Sequence, residues 1–537
     1  MSDDVDTTLI DEIRTAYAFE GAALDFGAAV VDDVAHPDAT VRIPMSAMNR
    51  HGLVAGATGT GKTKTLQLMA EQLVAQGVPV FLADIKGDLS GMASPGVSND
   101  RIVSRSADVG MQWQPTAYPT EFYSLGGQGT GIPIRASVSM FGPTLLSKVL
   151  GLNDTQESSL GLVFHYADKK GLWLDTIEDL RAVVQFLTGD QGKADLKELG
   201  GLSSATAGVI LRELITFSDQ GADAFFGLPE FDTTDLLRTA PDGRGLVSML
   251  ELPGVQDRPQ LFSTFLMWLL ADMFHDLPEV GDLDKPKLVF FFDEAHLLFK
   301  DASKGFLDAI QQTVRLIRSK GVGVFFVTQS PKDVPPDVLA QLGNRVQHAL
   351  RAFTPDDAKA LKAAVKTYPH TAYDLEELLT ALGTGEAVIT VLSEKGAPTP
   401  VAWTRMRAPE SLMAPSPDAV LAAAVASSPL NAKYGTAQER ESAAEMLGKA
   451  EEARTAAEAA AAQEAANTKV REAAAAAAQK EQAAAQKQQA PARRKQAEEP
   501  GMVEQVVKSS AFKSMLRSAG TVLGREITRS VFGTSRR

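Results

Sequence analysis

The sequence predicts an α/β protein built on a doubly wound, mainly parallel sheet. Short apolar runs recur without alternating polar residues, which is typical of strands buried on both faces. Helical patterns separate these runs, and a glycine-rich loop follows the first of them. The predicted strands cover residues 52–55, 80–83, 245–252, 288–292 and 322–327.

The first helix is predicted directly after the glycine-rich loop. Apolar residues recur there at spacings of three and four, which places them on one helix face. Gly77 supplies the stop signal after the last of them. The residues of this face are Leu66, Met69, Ala70, Leu73 and Val74.

The composition limits the classes of protein that the chain can represent. It has 537 residues and no cysteine, which excludes a disulfide framework and fits a reducing compartment. Lys and Arg total 53 against 67 Asp and Glu, giving a net charge of −14. A generally basic coat for nucleic acid is therefore absent, and any DNA contact needs a local stripe or an assembled pore.

The chain is expected to be soluble and cytoplasmic. Residues 1–8 are acidic and polar, unlike a secretory signal. The most apolar stretch, residues 261–274, is shorter than the roughly 20 residues that span a bilayer, and Asp272 interrupts it. We expect a buried helix there and no membrane span.

The pattern divides the chain into six parts. Residues 95–240, between the second and third predicted strands, do not repeat the alternation of strand and helix. Two β-like pieces are followed there by several helical stretches. We therefore predict a leader at 1–45, the P-loop part of the core at 46–94, an inserted β and helical subdomain at 95–240, the rest of the core at 241–410, a linker with an Ala-rich helix at 411–500, and a basic amphipathic helix at 501–537.

The last two parts differ in composition. Residues 436–499 are rich in alanine, the best helix former, but have too few large apolar residues for a heptad seam. Residues 501–537 carry seven Lys or Arg against two Glu, with apolar residues at helical spacing. This helix fits docking onto its own body or a neighbouring subunit, or contact with a membrane surface, DNA or a protein partner.

One octapeptide carries a phosphate-binding pattern, G-x-x-x-x-G-K-[ST]. The glycines permit positive φ and close approach of the backbone, and the following helix N-terminus favours phosphate. Lys62 is expected to reach the β- and γ-phosphates, and the Thr63 hydroxyl to ligate Mg²⁺. The motif and the next residue give a predicted nucleotide site of Gly56, Ala57, Thr58, Gly59, Thr60, Gly61, Lys62, Thr63 and Lys64.

A second pattern ends the apolar run at 288–292 with two carboxylates. Asp293 is expected to hold the Mg²⁺ shell, and Glu294 to act as the general base on the attacking water. Acidic capping of a helix start is the alternative. His296 completes the letters D-E-A-H, but the next strand ends in Thr-Gln rather than the Ser-Ala-Thr of DEAH-box helicases, which disfavours that class. For His296 itself, a helix-surface or packing role is favoured over catalysis.

Gln329 follows the strand after the Asp-Glu strand. In a 5-1-4-3-2 sheet its amide lies beside the γ-phosphate, where it would sense the phosphate or hold the lytic water. Loop capping by the amide is the alternative.

These motifs together resemble the HerA–FtsK superfamily of hexameric DNA-translocating ATPases. The resemblance rests on Arg50-His51, GATGTGKT, FFFDEAHLLF, the segment 318–322 and VTQSP. Residues 84–88, residues 152–157 and the ending GREITRSVFG are similar to a bacterial HerA-like group of unknown function.

The resemblance implies a RecA-like core that assembles into a ring, a hexamer in the superfamily, with ATP and Mg²⁺ between subunits. It implies that Arg318 acts in trans as an arginine finger and that Arg50 lies near the nucleotide. Arg345 and Arg351 are further candidates for either role, and a surface position is the alternative for Arg318. Only about 50 residues precede the P-loop, too few for the N-terminal β-barrel of HerA proteins, which makes a nuclease partner doubtful.

Two functions fit this sequence. The first is an ATP-driven ring that translocates or unwinds double-stranded DNA. The second is an ATPase whose nucleotide state switches the assembly of a scaffold, with the tail binding a protein partner. The substrate, the direction of movement and the ring size do not follow from the sequence.

Overall fold

The computed structural model describes residues 2–198, 200–252, 258–281, 283–300 and 302–488. The chain forms two compact units, Met1–Ala453 and Arg454–Arg537. The predicted amphipathic helix at 501–537 lies outside the described residues, as does the end of the Ala-rich segment.

The strands of the first unit form one sheet. Their bounds are β1 (Ala23–Val31), β2 (Val34–Pro44), β3 (Gly52–Ala55), β4 (Val80–Asp84), β5 (Thr120–Leu125), β6 (Ile132–Ile134), β7 (Val247–Glu251), β8 (Leu288–Phe292), β9 (Val322–Thr328), β10 (Asn344–Gln347), β11 (Glu386–Thr390) and β12 (Ala402–Met406).

The helices are distributed along the whole described chain. Their bounds are α1 (Ser2–Ala16), α2 (Lys62–Ala75), α3 (Asp100–Asp108), α4 (Val138–Phe141), α5 (Pro143–Val149), α6 (Asp154–Lys170), α7 (Ile177–Thr188), α8 (Lys193–Glu198), α9 (Ser204–Asp219), α10 (Pro259–Asp276), α11 (His296–Phe299), α12 (Lys304–Ile317), α13 (Pro336–Leu339), α14 (Pro355–Val365), α15 (Leu375–Ala381), α16 (Asp418–Ser427), α17 (Pro429–Tyr434) and α18 (Ala443–Gln488).

The sheet has the order β2-β1-β12-β11-β10-β3-β9-β8-β4-β7-β5-β6. From β10 to β6 every neighbouring pair is parallel. The central order β10-β3-β9-β8-β4 is the predicted 5-1-4-3-2 arrangement of a RecA-like P-loop core. The predicted fold class and the five predicted core strands are therefore confirmed.

The sheet is covered on both faces. Along β8, Leu288, Phe290 and Phe292 belong to one apolar core, while Val289 and Phe291 belong to the other. Both sets are buried because parallel strands carry helices on both sides. The predicted buried helix is α10, whose Trp268 is about 1% exposed.

The segment predicted as a leader, residues 1–45, contains helix α1 and strands β1 and β2. Strands β1 and β2 make an antiparallel hairpin, and β1 pairs with β12. Asp32 and Asp33 form the tight turn with φ of +48° and +62°. Two consecutive left-handed residues are what a type I′ hairpin turn requires.

The interval 95–240 contributes to the same sheet. Its strands β5 and β6 extend the parallel block beyond β7. Its helices α6, α7 and α9 pack against one another over the core that also covers Phe290. Helices α16 and α17 continue the first unit, with Leu421 and Tyr434 buried.

The second unit is described only as the rest of α18. Residues 454–485 are exposed, as expected for an alanine-rich helix without an apolar seam.

Two ends of the parallel strands matter for the site. We call the end at which β3, β4, β8 and β9 finish the carboxyl edge, and the end at which they begin the amino edge. In sheets of this kind, ligands bind at the carboxyl edge.

Candidate active site

The P-loop joins the end of β3 to the start of α2 at the carboxyl edge. Gly59 has φ of +80° and Gly61, which caps α2, has φ of +116°. These values lie in the left-handed region, where a side chain is strained. A Cβ on Gly56 would lie 2.5 Å from the Cβ of His348. The loop therefore needs its glycines both for backbone conformation and for close approach.

Internal hydrogen bonds hold the loop in a cradle. The Thr60 hydroxyl donates to the Ala57 carbonyl over 2.8 Å, and the Lys62 ammonium donates to the same oxygen over 3.1 Å. Burial lowers the pKa of Lys62, while Glu294 and Asp293 act in the opposite direction. A cation is thus held at the start of α2, where the helix N-terminus also favours phosphate.

The next two residues of α2 differ in their surroundings. Thr63 lies in the first turn and is half-buried. The Lys64 ammonium donates to the Met413 carbonyl over 2.8 Å and to Gln67 Oε1 over 3.1 Å. The structure therefore brings Thr63 next to Lys62, whereas the Lys64 head group is engaged with the 411–416 segment.

Asp293 and Glu294 follow β8 at the same edge. Asp293 is about 2% exposed, and its Oδ1 accepts the Glu294 N–H over 2.9 Å. Its Oδ2 is buried and has no hydrogen-bond partner among the described residues. Burial, followed by the charge of Glu294, raises the pKa of Asp293 to about 7. A buried oxygen without a partner is a ready ligand for a cation or its water shell.

Glu294 has an unusual backbone and a charged neighbour. Its φ is +49°, a region that non-glycine residues rarely occupy. Its Oε1 forms an ion pair with Lys86. Its Oε2 lies 3.2 Å from His296 Nδ1, without the geometry of a hydrogen bond.

Lys86 is a site residue that the sequence analysis did not predict. It follows β4 in the segment Asp84-Ile85-Lys86-Gly87-Asp88, which is one of the segments similar to the bacterial HerA-like group. A lysine and a glycine placed directly after a core strand were the available signal, because such residues lie at the carboxyl edge.

Two further carboxylates lie beside this segment. Asp84 and Glu251 are paired neighbours at the ends of β4 and β7. Burial raises the pKa of Asp84 to about 6 and that of Glu251 to about 8, and each value also reflects a nearby carboxylate. The carboxyl edge is therefore rich in buried acids on the side away from the P-loop.

A cleft of about 400 Å³ opens beside the P-loop. Gln329 lies on its wall, together with Thr58 and His296. The side chain of Arg351 also lines it, with Nη2 3.4 Å from the Thr58 carbonyl. Gln329 thus directly follows β9, the strand that pairs with the P-loop strand β3, and it lines the cleft beside the P-loop.

His348 supports the P-loop from behind and was also missed. Its Nδ1 lies 2.8 Å from the Glu386 carbonyl and its Nε2 2.8 Å from the Thr65 hydroxyl. Because the carbonyl only accepts, Nδ1 carries the proton and Nε2 accepts from Thr65. Burial lowers the pKa of His348 to about 4, so the neutral ring is the form that packs here.

The two predicted arginines lie at the other end of the sheet. Arg50 ends the 3₁₀ helix before β3, and Arg318 begins the one before β9. Both therefore stand at the amino edge, and the structure does not bring them to the P-loop of the same chain. At His51, which directly follows Arg50, burial lowers the pKa to about 4, and the charge of Arg318 acts in the same direction. Arg345 contacts Thr367 instead.

The site fits ATP and Mg²⁺. The glycine cradle leaves room for phosphates, Lys62 supplies a cation, and Thr63 with Asp293 offers the oxygen ligands that Mg²⁺ prefers. The unpartnered Asp293 Oδ2 is the observation that favours a bound cation.

Comparison with protein families decides the assignment. The model of the family described as "Helicase HerA-like C-terminal" matches residues 31–537. The chain belongs to this family of P-loop ATPases. ATP and Mg²⁺ are accordingly its cofactors, and the resemblance to the HerA–FtsK superfamily is confirmed.

The HerA-like chain also matches curated helicases at low identity. One is the DNA double-strand break repair helicase HerA of Sulfurisphaera tokodaii, 24% identical over 357 residues, or 66% of this chain. Another is the HerA of Sulfolobus acidocaldarius, 20% identical over 357 residues, or 65% of this chain. In both cases the alignment spans 64% of the relative's length.

Solved structures provide more distant likenesses. The bacterial conjugative coupling protein TrwB, solved as TrwBdeltaN70, aligns with a TM-score of 0.49 at 16% identity, covering 76% of this chain and 95% of the solved chain. VirB4 of Thermoanaerobacter pseudethanolicus aligns with a TM-score of 0.46 at 14% identity, covering 72% and 97%. At these values the likeness is too distant to carry an argument about function.

Within the described stretches of the chain, no helix combines the length and apolar character needed to cross a bilayer.

Proposed function

We propose that this HerA-like chain is an ATP-driven motor that assembles as a ring and translocates duplex DNA. Each ATP site is completed by Arg318 of a neighbouring copy. The proposal is carried by the position of Arg318 at the amino edge, opposite the P-loop. Strand β9 has seven residues and, at about 3.3 Å per residue, spans about 20 Å between these edges. An arginine side chain is much shorter, so a guanidinium from this position reaches a γ-phosphate only across a subunit boundary.

Within one copy the side chains divide the work. Lys62 and the loop amides bind the phosphates, and Thr63 with Asp293 holds Mg²⁺, which neutralises phosphate charge when bound. Glu294 accepts the proton of the attacking water, and Gln329 orients that water or senses the phosphate. Arg318 from the neighbour offsets the charge that develops during transfer, an effect worth roughly 10³–10⁵ in turnover in other phosphoryl-transfer enzymes.

Duplex DNA is the substrate that the relatives favour, because two of them are named as DNA double-strand break repair helicases. The net charge of −14 argues against binding by a broad basic surface. DNA contact therefore depends on local Lys and Arg groups brought together in an assembled ring.

Turnover of ATP with and without linear duplex DNA tests this proposal. We expect DNA to stimulate phosphate release by the full chain, and the stimulation to fall steeply along a salt series as counterions compete for phosphate contacts. Lys62→Ala is the control that removes hydrolysis from the P-loop. Turnover that DNA leaves unchanged at low salt would contradict the DNA substrate.

That outcome would favour the second candidate, an ATPase that controls the assembly of a protein scaffold. The observation behind it is α18, a 46-residue helix whose residues 454–485 are exposed. A long helix with exposed side chains offers an extended surface to a protein partner. Co-purification that depends on ATP and on residues 454–537 would support it.

A further inference from the structure

His51 lies at the amino edge, directly before the P-loop strand β3. It is about 2% exposed. Its backbone has φ of +57° and ψ of 170°, a combination that almost only glycine adopts. Glycine would remove this strain, so a histidine at this position points to a role for its ring. Strained residues of this kind cluster at functional sites.

One ring nitrogen completes the sheet where β3 begins. Gly52, the first residue of β3, is the register partner of Phe325 in β9. Val324 lies one residue earlier, before the pairing with β3 begins, and its N–H donates to His51 Nδ1 over 3.0 Å. The ring thus takes the place of a strand carbonyl, and a buried N–H of β9 keeps a partner.

The ring also lies near the end of helix α12. Because Nδ1 accepts, Nε2 carries the proton, and it is buried without a hydrogen-bond partner among the described residues. Burial lowers the pKa of the ring to about 4, while the Val314 carbonyl opposes this shift from close range. Val314 lies about one helical turn before Arg318, the C-cap of α12. The Nε2–H of His51 is therefore the group that holds the last turn of this helix by its carbonyls.

The backbone of His51 is fixed from the opposite side by strand β10. Its carbonyl accepts the backbone N–H of Asn344 over 3.1 Å and the side-chain N–H of Asn344 over 2.9 Å. The same side-chain amide donates to the Ala47 carbonyl over 2.9 Å, and its oxygen accepts the Leu392 N–H over 3.0 Å. The ring therefore stands on a fixed backbone, and the sheet sets its position against α12.

We propose that His51 is a positioning residue that sets Arg318 for the ATP site of a neighbouring copy. This inference rests on the proposed function, in which Arg318 acts in trans. Strand β3 is followed by the P-loop and preceded by His51. The same strand thus supports the nucleotide of its own copy and the arginine that is offered to the next. Loss of the Nε2–H leaves ATP binding intact and releases the end of α12.

Two substitutions in the full chain separate the two ring nitrogens, because the amide of Asn reaches the place of Nδ1 and that of Gln the place of Nε2. His51→Asn keeps an acceptor for Val324 and should lower kcat about tenfold, since a displaced guanidinium loses part of its effect on the transition state. Its affinity for ATP should stay within about twofold. His51→Gln keeps a donor towards Val314 and should retain kcat near that of the wild type. Its free energy of unfolding should fall, because the Val324 N–H loses its partner.

Mixed rings show which copy the histidine serves. His51→Asn co-assembled with Lys62→Ala should turn over ATP faster than the mean of the two variants alone, because an intact P-loop then meets an undisturbed arginine. His51→Asn co-assembled with Arg318→Ala should equal the mean, because both changes impair the same side of the interface. A gain with Arg318→Ala, or none with Lys62→Ala, would place the effect of His51 on its own P-loop and overturn the inference.

His165→Asn is the matched control, since it changes an exposed histidine of α6, and it should leave kcat unchanged. If His51→Asn does not melt cooperatively, His51→Phe, which fills similar space with neither nitrogen, carries the same expectation in the mixtures. Wild-type kcat in His51→Asn would overturn the positioning role, as would a kcat in His51→Gln as low as in His51→Asn. The mixture of Arg318→Ala with Lys62→Ala keeps the two proposals apart. Without a gain there, the shared site itself fails, whereas with a gain there the His51 mixtures test the histidine alone.

Discussion

At the scale of single residues, neighbouring acids at one edge of the sheet have different surroundings. Asp293 is buried with one unpartnered oxygen, whereas Glu294 is paired with a lysine. The first arrangement suits a ligand of a cation, and the second leaves Oε2 of Glu294 without a hydrogen-bond partner among the described residues. Further along the edge, burial and then the charge of Asp84 raise the pKa of Glu251.

Glu294→Gln is expected to bind ATP with near wild-type affinity and to lower turnover by at least about a hundredfold, because an amide cannot accept the proton of water. Phosphate release and ATP binding, measured on the same preparation, check this outcome. Retention of turnover in this variant would show that another group is the base.

The buried carboxyl of Glu251 predicts how stability depends on pH. Its pKa is raised from 4.5 to about 8, so the folded state binds a proton that the unfolded state has lost between these values. The stability that the folded state gains from the protonated carboxyl of Glu251 is fully present below about pH 4.5 and is lost as the pH rises through 8. Glu251→Gln should therefore flatten the fall in thermal unfolding midpoint between pH 6 and pH 8. Identical pH profiles for variant and wild type would contradict it.

The sequence reveals the candidate site residues that belong to a linear motif. It does not reveal those whose position at the site depends on which strands pair. Lys62, Asp293 and Glu294 stand beside strands, and their spacing in the sequence predicts the roles that we propose for them. Lys86 is brought to Glu294 by the pairing of β4 with β8, and His348 is brought behind the P-loop by the pairing of β10 with β3. Those pairings join residues about 200 to 300 positions apart in sequence, which local patterns do not encode.

At the scale of elements, five strands of the parallel block were predicted, whereas β10 and the strands of the antiparallel end were not. Runs such as residues 288–292 are apolar throughout because both faces are covered. Strand β12 alternates between buried and half-buried residues, and the β1–β2 turn uses Asp32 and Asp33 instead of the Asn-Gly that marks such hairpins. The weaker pattern explains why these strands were not predicted.

The contact between β10 and the P-loop helix predicts a second effect at this scale. His348→Ala removes the bonds to Thr65 and to the Glu386 carbonyl and opens space behind Gly56. We expect a loss of about 2 kcal/mol in unfolding free energy and a raised KM for ATP, since the loop loses its support. His348→Gln, which keeps a donor and an acceptor, should recover part of both. Denaturant unfolding and steady-state kinetics measure them, and an unchanged KM in the alanine variant would contradict the supporting role.

At the scale of the whole molecule, the segments that flank and interrupt the motif regions belong to one sheet. Strands β1 and β2 close one end of it, and β5 and β6 extend the other. The boundaries predicted at residues 45, 95 and 240 lie where the alternation of strand and helix patterns changes. In the structure, strands from both sides of each boundary belong to the same sheet.

The P-loop and Arg318 lie at opposite edges of the sheet, and the proposed site between subunits depends on this arrangement. Each copy presents a P-loop at the carboxyl edge and Arg318 at the amino edge, so the site that we propose takes its arginine from a second copy. Arg318→Ala alone should bind ATP normally and hydrolyse it slowly.

The most direct measurement is the ATPase rate of Arg318→Ala mixed with Lys62→Ala after co-assembly, which native mass spectrometry verifies. One class of interface in such a ring joins an intact P-loop to an intact arginine. We therefore expect the mixture to turn over ATP faster than either variant alone, by a modest factor because only a minority of interfaces are complete. Absence of any gain in rings proven to contain both variants would contradict a site shared between subunits.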